Sequence, residues 1–300
     1  MPLVYFISGL EYKATDNETI YLINALKTRG ITSSVESWDD PKTDWNKPDL
    51  CIHRNSPYLL EPTKFLEWAK KLEKTNPVWN SYKVTAWNLH KEYLIDLQNA
   101  GVPVPPTIMI KQNSDQPLQY YIEDVDWEEI ILKPTITGGS LGLRRFKKGS
   151  LDAEEHFRKI NKTGFTQSIP NIREFNLSPT DTLVQEYQPE IVTAGEVSII
   201  YFGGEYSHAV FKKVKSGDFR AHPVWGASVE PYKASRGEID VADRALEVVG
   251  DFIHFARVDL LNTIYGPVII ELELIEPWLF FDHFPETVNS YADHIASFFN

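Results

Sequence analysis

Three carboxylates near the end of the chain have the type and spacing to do chemistry. Asp259, Glu271 and Glu273 fall within Arg257 to Phe281, RVDLLNTIYGPVIIELELIEPWLFF. Successive strand side chains point to opposite faces, so Glu271 and Glu273 share one face of VIIELELIEP while Leu272 and Leu274 take the other. Asp259 closes the preceding apolar run, and a turn at Tyr265-Gly266-Pro267 lets the two runs pair as a hairpin that brings it across from them. Like charges held that close raise one another's pKa unless a cation lies among them. A few hard oxygen ligands suit Mg²⁺ that keeps some waters and is also held by substrate phosphates, with Mn²⁺ as the other candidate. The same spacing is equally that of an amphipathic edge strand with solvated glutamates.

A second signal lies in EEIILKPTITGGSLGLRRF. Ile130 to Lys133 reads as a strand ending in a lysine, and Gly138, Gly139, Ser140 and Gly142 make a loop before Leu143 to Phe146 resumes the extended pattern. Glycines let backbone N–H groups approach a polyphosphate, and Lys133 adds a point charge. The segment is not a P-loop, because no Gly-Lys-Ser/Thr ends it and a strand follows; a plain hairpin with a glycine turn is the competing reading. Lys212, Lys213 and Arg220 complement the three acids. Cations, carboxylates for a metal and a glycine lid together are what phosphoryl transfer needs. No Ser-His-Asp or Cys-His order stands out, and His208 reads equally as a buried, hydrogen-bonded histidine.

The elements that must position these groups follow in order. Leu3 to Ser8 reads as a buried strand, Asp16 to Arg29 as a helix capped by Asp16 and ended by Gly30, and ITSSVESW as a second strand. DLCIHRNSP stops at His53, Arg54, Asn55 and Ser56, at the strand end where α/β domains place ligands. Arg54 either meets a substrate carboxylate there or is a surface arginine paired with an acid. Pro62 to Leu72 reads as a helix burying Phe65, Leu66, Ala69 and Leu72, and NPVWN as a turn and short strand. Trp87 to Asn99 reads as one amphipathic helix carrying Lys91, by itself a solvated lysine, and Val102 to Thr107 as a proline-punctuated strand. Leu183 to Ile191 reads as a strand entering a polar hinge, Gly195 to Val214 as a hairpin turning at Gly203-Gly204, and Asp240 to Phe255 as a helix.

Three hundred residues, 42% of them hydrophobic, are enough for two or three packed subdomains and argue against global disorder. A net charge of −12 argues against non-specific binding to nucleic acid or anionic lipid. One cysteine, Cys51, cannot form an intramolecular disulfide, and MPLVYFISGL lacks a signal-peptide pattern; both favour the cytoplasm. No apolar run reaches the length of a membrane span.

The order of Lys91, GVPVPPT, ILKP with its glycine loop, LVQEY, a Gly-Glu pair, a lysine after a hairpin, GDFR, RVDLL and ELELIEP resembles the ATP-grasp superfamily over residues 80 to 281. It is most similar to the branch holding bacterial glutathione synthetase, the glutamate-adding ligases and the O-ureido-serine cyclo-ligase that forms cycloserine, and HRNSPY and NPVWN resemble the preceding domain of the last. The resemblance implies an α/β (α+β) chain: residues 1–85 as a pre-ATP-grasp substrate domain, 86–188 as an ATP-binding subdomain with a glycine-rich lid, and 189–300 as the second ATP-grasp subdomain. It implies ATP and Mg²⁺ as cofactors, with Lys91, Lys133, Gly138, Gly139 and Ser140 at the phosphates. Gln185, Glu186, Tyr187 and Gln188 would form the adenine hinge, and Glu196 would lie near ribose or phosphates. Lys212 and Arg220 would stabilise the transferred phosphate and the tetrahedral intermediate, and Asp259, Glu271 and Glu273 would bind metal. Glu273 stands where the glutamate-adding ligases carry Asn, leaving Glu276 as an alternative ligand, and Ser198 stands near where they carry arginine. Arg54, Tyr58, His208, His222 and Trp225 are the candidates for choosing an amino acid, a ureido compound or a peptide end. The implied activity is an ATP-dependent carboxylate-amine or ureido cyclo-ligase releasing ADP and phosphate; the alternative is a silent nucleotide-binding regulator or scaffold of the same fold. A homodimer is the expected assembly on general grounds.

Overall fold

A computed structural model describes residues 1–10, 16–169 and 172–300. The first unit contains β1 (Leu3–Ser8), α1 (Asn17–Thr28), β2 (Thr32–Ser37), β3 (Leu50–Asn55), α2 (Pro62–Leu72) and β4 (Val78–Trp79). Its parallel sheet runs β2-β1-β3-β4, with Val4, Phe6, Leu50 and Ile52 fully buried. Asp16 caps α1 as expected, its Oδ1 accepting from the Thr19 N–H at 2.8 Å. The helix expected over Pro62 to Leu72 has those bounds, and buries Phe65, Ala69 and Leu72.

Next come α3 (Tyr82–Leu89) and α4 (Tyr93–Asn99), where one helix over Trp87 to Asn99 was expected. The helix is broken because His90 is extended and the Lys91 N–H leaves the helical ladder to donate to the Thr135 carbonyl at 2.8 Å. Lys91 is thereby taken out of solvent, contrary to the surface reading. The strand expected from Val102 begins only at β5 (Thr107–Ile110). Prolines 103, 105 and 106 have no N–H to give a ladder, and their segment offers carbonyls instead: Pro103 to Ile269 and Pro106 to Glu186.

The chain continues through α5 (Leu118–Ile122), β6 (Glu129–Pro134), β7 (Arg144–Lys147), α6 (Leu151–Arg158), β8 (Phe165–Ile169), β9 (Arg173–Leu177) and β10 (Thr182–Glu186). Strands β5-β10-β6-β7 form an antiparallel sheet, while β8 and β9 form a separate hairpin. Then follow α7 (Glu190–Thr193), β11 (Glu196–Phe202), β12 (Glu205–Lys213), β13 (Ser228–Tyr232), α8 (Arg236–Val249), β14 (Phe255–Thr263), β15 (Gly266–Glu273) and α9 (Thr287–Ser297). The third sheet is antiparallel in the order β13-β12-β11-β14-β15. Helix α8 starts and ends earlier than expected, because Ser235 and Glu238 form a capping box that sets its first turn.

Period-two alternation divides the third sheet into two faces. Val197, Ile199, Tyr201, Ala209, Val258, Leu260 and Leu272 face α3, α4 and α8 in the largest core. The residues between them, including Ser198, Lys212, Arg257, Asp259, Glu271 and Glu273, are therefore turned to the opposite face. On that side Ile200, Phe202, Val210 and Phe255 pack with α1, α9 and the first sheet. Residues 82–99 bury against the third sheet, and the C-terminal helix against the first unit. No helix among the described residues is long and apolar enough to cross a membrane.

Candidate active site

The β14–β15 hairpin pairs Asp259 with Glu271 and Arg257 with Glu273, and β11 sets Ser198 opposite Asp259. Ligand atoms of Asp259, Glu271 and Glu273 lie within 4.8 Å of one another. Each carboxylate has a basic partner. Arg257 donates from Nε to both Asp259 oxygens at 3.0 Å and from Nη2 to Oδ2 at 2.9 Å, and Nη2 lies 2.6 Å from Glu273 Oε1. Lys91 Nζ is 2.5 Å from Glu271 Oε1. Lys212 lies 3.4 Å from Asp259 and also pairs with Glu196, while the Ser198 hydroxyl donates to Asp259.

Burial alone would raise Asp259, but Arg257 and Lys212 outweigh it and hold its carboxyl at about 2. In Glu273, burial and its two acidic neighbours prevail over Arg257, and the carboxyl rises to about 7. Burial likewise lifts Glu196 to about 7 against the pull of Lys212. Lys133 projects from β6 into the same cavity and makes no ion pair among the described residues; burial, then Lys91, lowers it to about 7.

One cavity gathers Lys91, Lys133, Gly138, Gly139, Ser140, Gln185, Glu186, Tyr187, Gln188, Glu196, Lys212, Arg220, Asp259, Glu271 and Glu273, the full set expected around a nucleotide and metal. It has two chemically distinct ends. Ile131, Leu143, Ile191, Leu261 and Ile270 make one wall apolar, beside the hinge backbone, whereas the lysines and carboxylates crowd the other. The glycine loop needs its residues: Gly142 has φ +75°, and a Cβ there would lie 2.6 Å from Pro134 Cγ and 2.7 Å from Phe165 Cζ. Arg220 forms a two-point contact with Asp218 at 2.6–3.2 Å and lies 3.7 Å over the Trp225 ring. Trp225 Nε1 donates to the Gly139 carbonyl at 3.0 Å, tying the 215–227 loop to the glycine loop.

A second cavity adjoins the first through Lys91, Gly138, Gly139, His222, Arg257, Glu271 and Glu273, and contains Arg54, Tyr58 and Glu276. Arg54 is not a surface residue. It is buried, pairs with Glu18 at 2.9 Å and donates to the Pro277 carbonyl at 3.3 Å. Glu276 lies beyond the end of β15 and outside the carboxylate trio, which Glu273 completes. His208 lines neither cavity; its Nε2 shares a 2.7 Å hydrogen bond with the Leu279 carbonyl beside the Phe284 ring, so the buried reading of this histidine holds. Sequence reasoning missed Arg257. The signal was available, since a residue two before Asp259 in a strand shares its face.

The N-terminal sequence, residues 4–80, matches a family model described as D-cycloserine synthetase DcsG, N-terminal domain. The cycloserine biosynthesis protein DcsG of Streptomyces lavendulae is 26% identical over 275 residues, covering 86% of each chain. The crystal structure of D-cycloserine synthetase DcsG superposes with a TM-score of 0.83 at 23% identity, covering 99% of this chain and all of the other. The ATP-grasp RimK domain protein of Sphaerobacter thermophilus gives 0.66 at 16% identity, over 99% of this chain and 98% of its own. The chain has the ATP-grasp fold. Arg257, on the strand next to Ser198, lies 2.6 Å from Glu273.

Proposed function

We propose that this ATP-grasp ligase uses ATP to phosphorylate a carboxylate, or a ureido or carbamoyl oxygen, which an amine then attacks to form a C–N bond. The reading makes residues 1–85 the substrate unit and sets the nucleotide between 86–188 and 189–300. The observation that carries it is the single cavity in which an apolar slot leads to three carboxylates interleaved with lysines. The apolar end suits a planar base whose edge meets the backbone of Gln185 to Gln188, and the charged end suits a polyphosphate. Asp259, Glu271 and Glu273 fit a divalent ion in number, charge and spacing, and would hold Mg²⁺. Bound there, the ion neutralises phosphate charge as the γ-phosphoryl group moves.

The chain's own groups do the rest. Lys91, Lys133 and Lys212 orient phosphate oxygens, and the glycine loop closes over them to exclude water. The substrate oxygen attacks the γ-phosphorus and the bond to ADP breaks. The amine lone pair then attacks the activated carbon, and Arg220 and Arg257, both on the cavity wall, stabilise the oxyanion before phosphate leaves and the nitrogen loses its proton. No protein nucleophile is needed. The substrate is a small amino acid, a ureido compound or a peptide end.

The test is release of ADP and phosphate that depends on an added acid or ureido compound and, for intermolecular ligation, an amine. Glu271→Gln, folded by circular dichroism, is expected to lose ~100-fold or more of that turnover. Turnover that survives the change would refute the metal assignment.

A further inference from the structure

The two cavities meet along a wall shared by the side chains of Lys91, Thr137, His222, Arg257, Glu271 and Glu273. On the ligase reading, this junction is where the γ-phosphoryl group passes from nucleotide to substrate. Its other side chains are already engaged. Lys91 pairs with Glu271, Arg257 pairs with Asp259 and Glu273, and the Thr137 hydroxyl donates to the Leu141 carbonyl at 2.7 Å. His222 is held differently. Its Nδ1 accepts the Val224 N–H at 3.2 Å, capping the turn at 223–225. Accepting there uses the Nδ1 lone pair, so the cap selects a neutral ring that carries its proton on Nε2. Lys212 and Arg257 line the same cavity and oppose a further positive charge. The ring is open to the cavity, and Nε2 has no hydrogen-bond partner among the described residues. The same turn presents Trp225, whose Nε1 donates to the Gly139 carbonyl at 3.0 Å, so the imidazole keeps a fixed place beside the glycine loop.

We propose that the Nε2–H of neutral His222 donates a hydrogen bond to the γ-phosphoryl group at this junction, which makes His222 a catalytic residue for the transfer rather than a selector of substrate. The inference rests on the ligase reading above and adds a group to its machinery. A neutral donor stabilises charge on the phosphoryl oxygens without adding a cation that would compete for the metal-binding acids. Because its own cap fixes the ring, little reorganisation is needed when the phosphoryl group arrives. The bond requires a γ-phosphate, so ADP alone does not make it.

The experiment compares ADP with β,γ-imido-ATP, each with Mg²⁺, on the whole protein. Asparagine at this position retains an acceptor for the Val224 N–H but lacks the Nε2 donor. Calorimetry is expected to show that His222→Asn leaves ADP affinity unchanged and weakens the imido analogue about tenfold. In ¹⁵N-histidine spectra at neutral pH, the signal that His222→Asn removes is expected to report the Nε2–H tautomer. That signal should shift when the imido analogue binds and stay in place with ADP. The proposal is overturned if the variant, folded by circular dichroism, weakens both nucleotides equally or neither. It is overturned as well if the ring is an imidazolium or the Nδ1–H tautomer, or if its signal ignores the γ-phosphate. Should neither nucleotide bind the unaltered protein, the ligase reading falls and takes this inference with it, a result distinct from the others.

Discussion

Lys133 is a buried lysine near the Lys91 ammonium, and its lowered pKa of about 7 has a definite consequence for nucleotide binding. A polyphosphate favours the charged form, so binding raises this pKa and draws a proton from solution wherever the free lysine is neutral. Affinity is then full below about pH 7 and falls as pH rises through the bound-state pKa. At pH 8, calorimetry of ATP binding in buffers of different ionisation enthalpy is expected to show net proton uptake. Lys133→Arg, which stays charged, is expected to abolish that uptake; uptake that persists would assign the proton elsewhere. Arg257 sits 2.6 Å from Glu273 and 2.9 Å from Asp259, and this one guanidinium does not keep both acids charged: burial and the neighbouring acids leave the Glu273 carboxyl at about 7.

At the scale of elements, the glycine loop and the hairpins decide the site's shape. The α2 helix and the β11–β12 hairpin were legible because their apolar periods are clean and their ends carry proline, glycine or caps. The break at Lys91 was not legible, since it depends on a hydrogen bond to Thr135, 44 residues away. Within the loop, two glycines should respond differently to a methyl group. Gly142→Ala meets Pro134 and Phe165 at a positive φ and is expected to cost ~2 kcal/mol or more. Gly138→Ala meets only Leu59 at an ordinary 3.6 Å and should be nearly neutral for stability. Thermal unfolding of the two variants checks the contrast, and equal losses would refute the geometry.

For the whole molecule, buried histidines set the response to acid. His53 is lowered to about 3, and His156 and His208 to about 4, in each case chiefly by burial. The unfolded chain takes up protons at these groups near pH 6.5 while the folded one does not, so their contribution to stability falls as pH drops from about 6.5 to 4, offset in part by Glu196 and Glu273, which take up protons in the folded chain near pH 7. Each group contributes up to ~1.4 kcal/mol per pH unit in that window. Denaturant titrations at pH 7 and pH 5 are expected to show a clear loss. His208→Gln keeps a donor for the Leu279 carbonyl and should return ~1–2 kcal/mol of that loss; an unchanged pH dependence would refute the assignment.

The sequence by itself determined which residues alternate on which strand face, and hence that Asp259, Glu271 and Glu273 would meet across a hairpin; that follows from a local period of two. It also carried the order of lysines, glycine loop and hinge that places the chain among the ATP-grasp proteins. Only the tertiary structure decided that Lys91 is buried against Glu271, that Arg54 is spent on Glu18 and that Glu276 stands outside the trio. Each of these depends on what faces the side chain from another strand or another unit. That partnership is set by packing across hundreds of residues, and no local pattern encodes it.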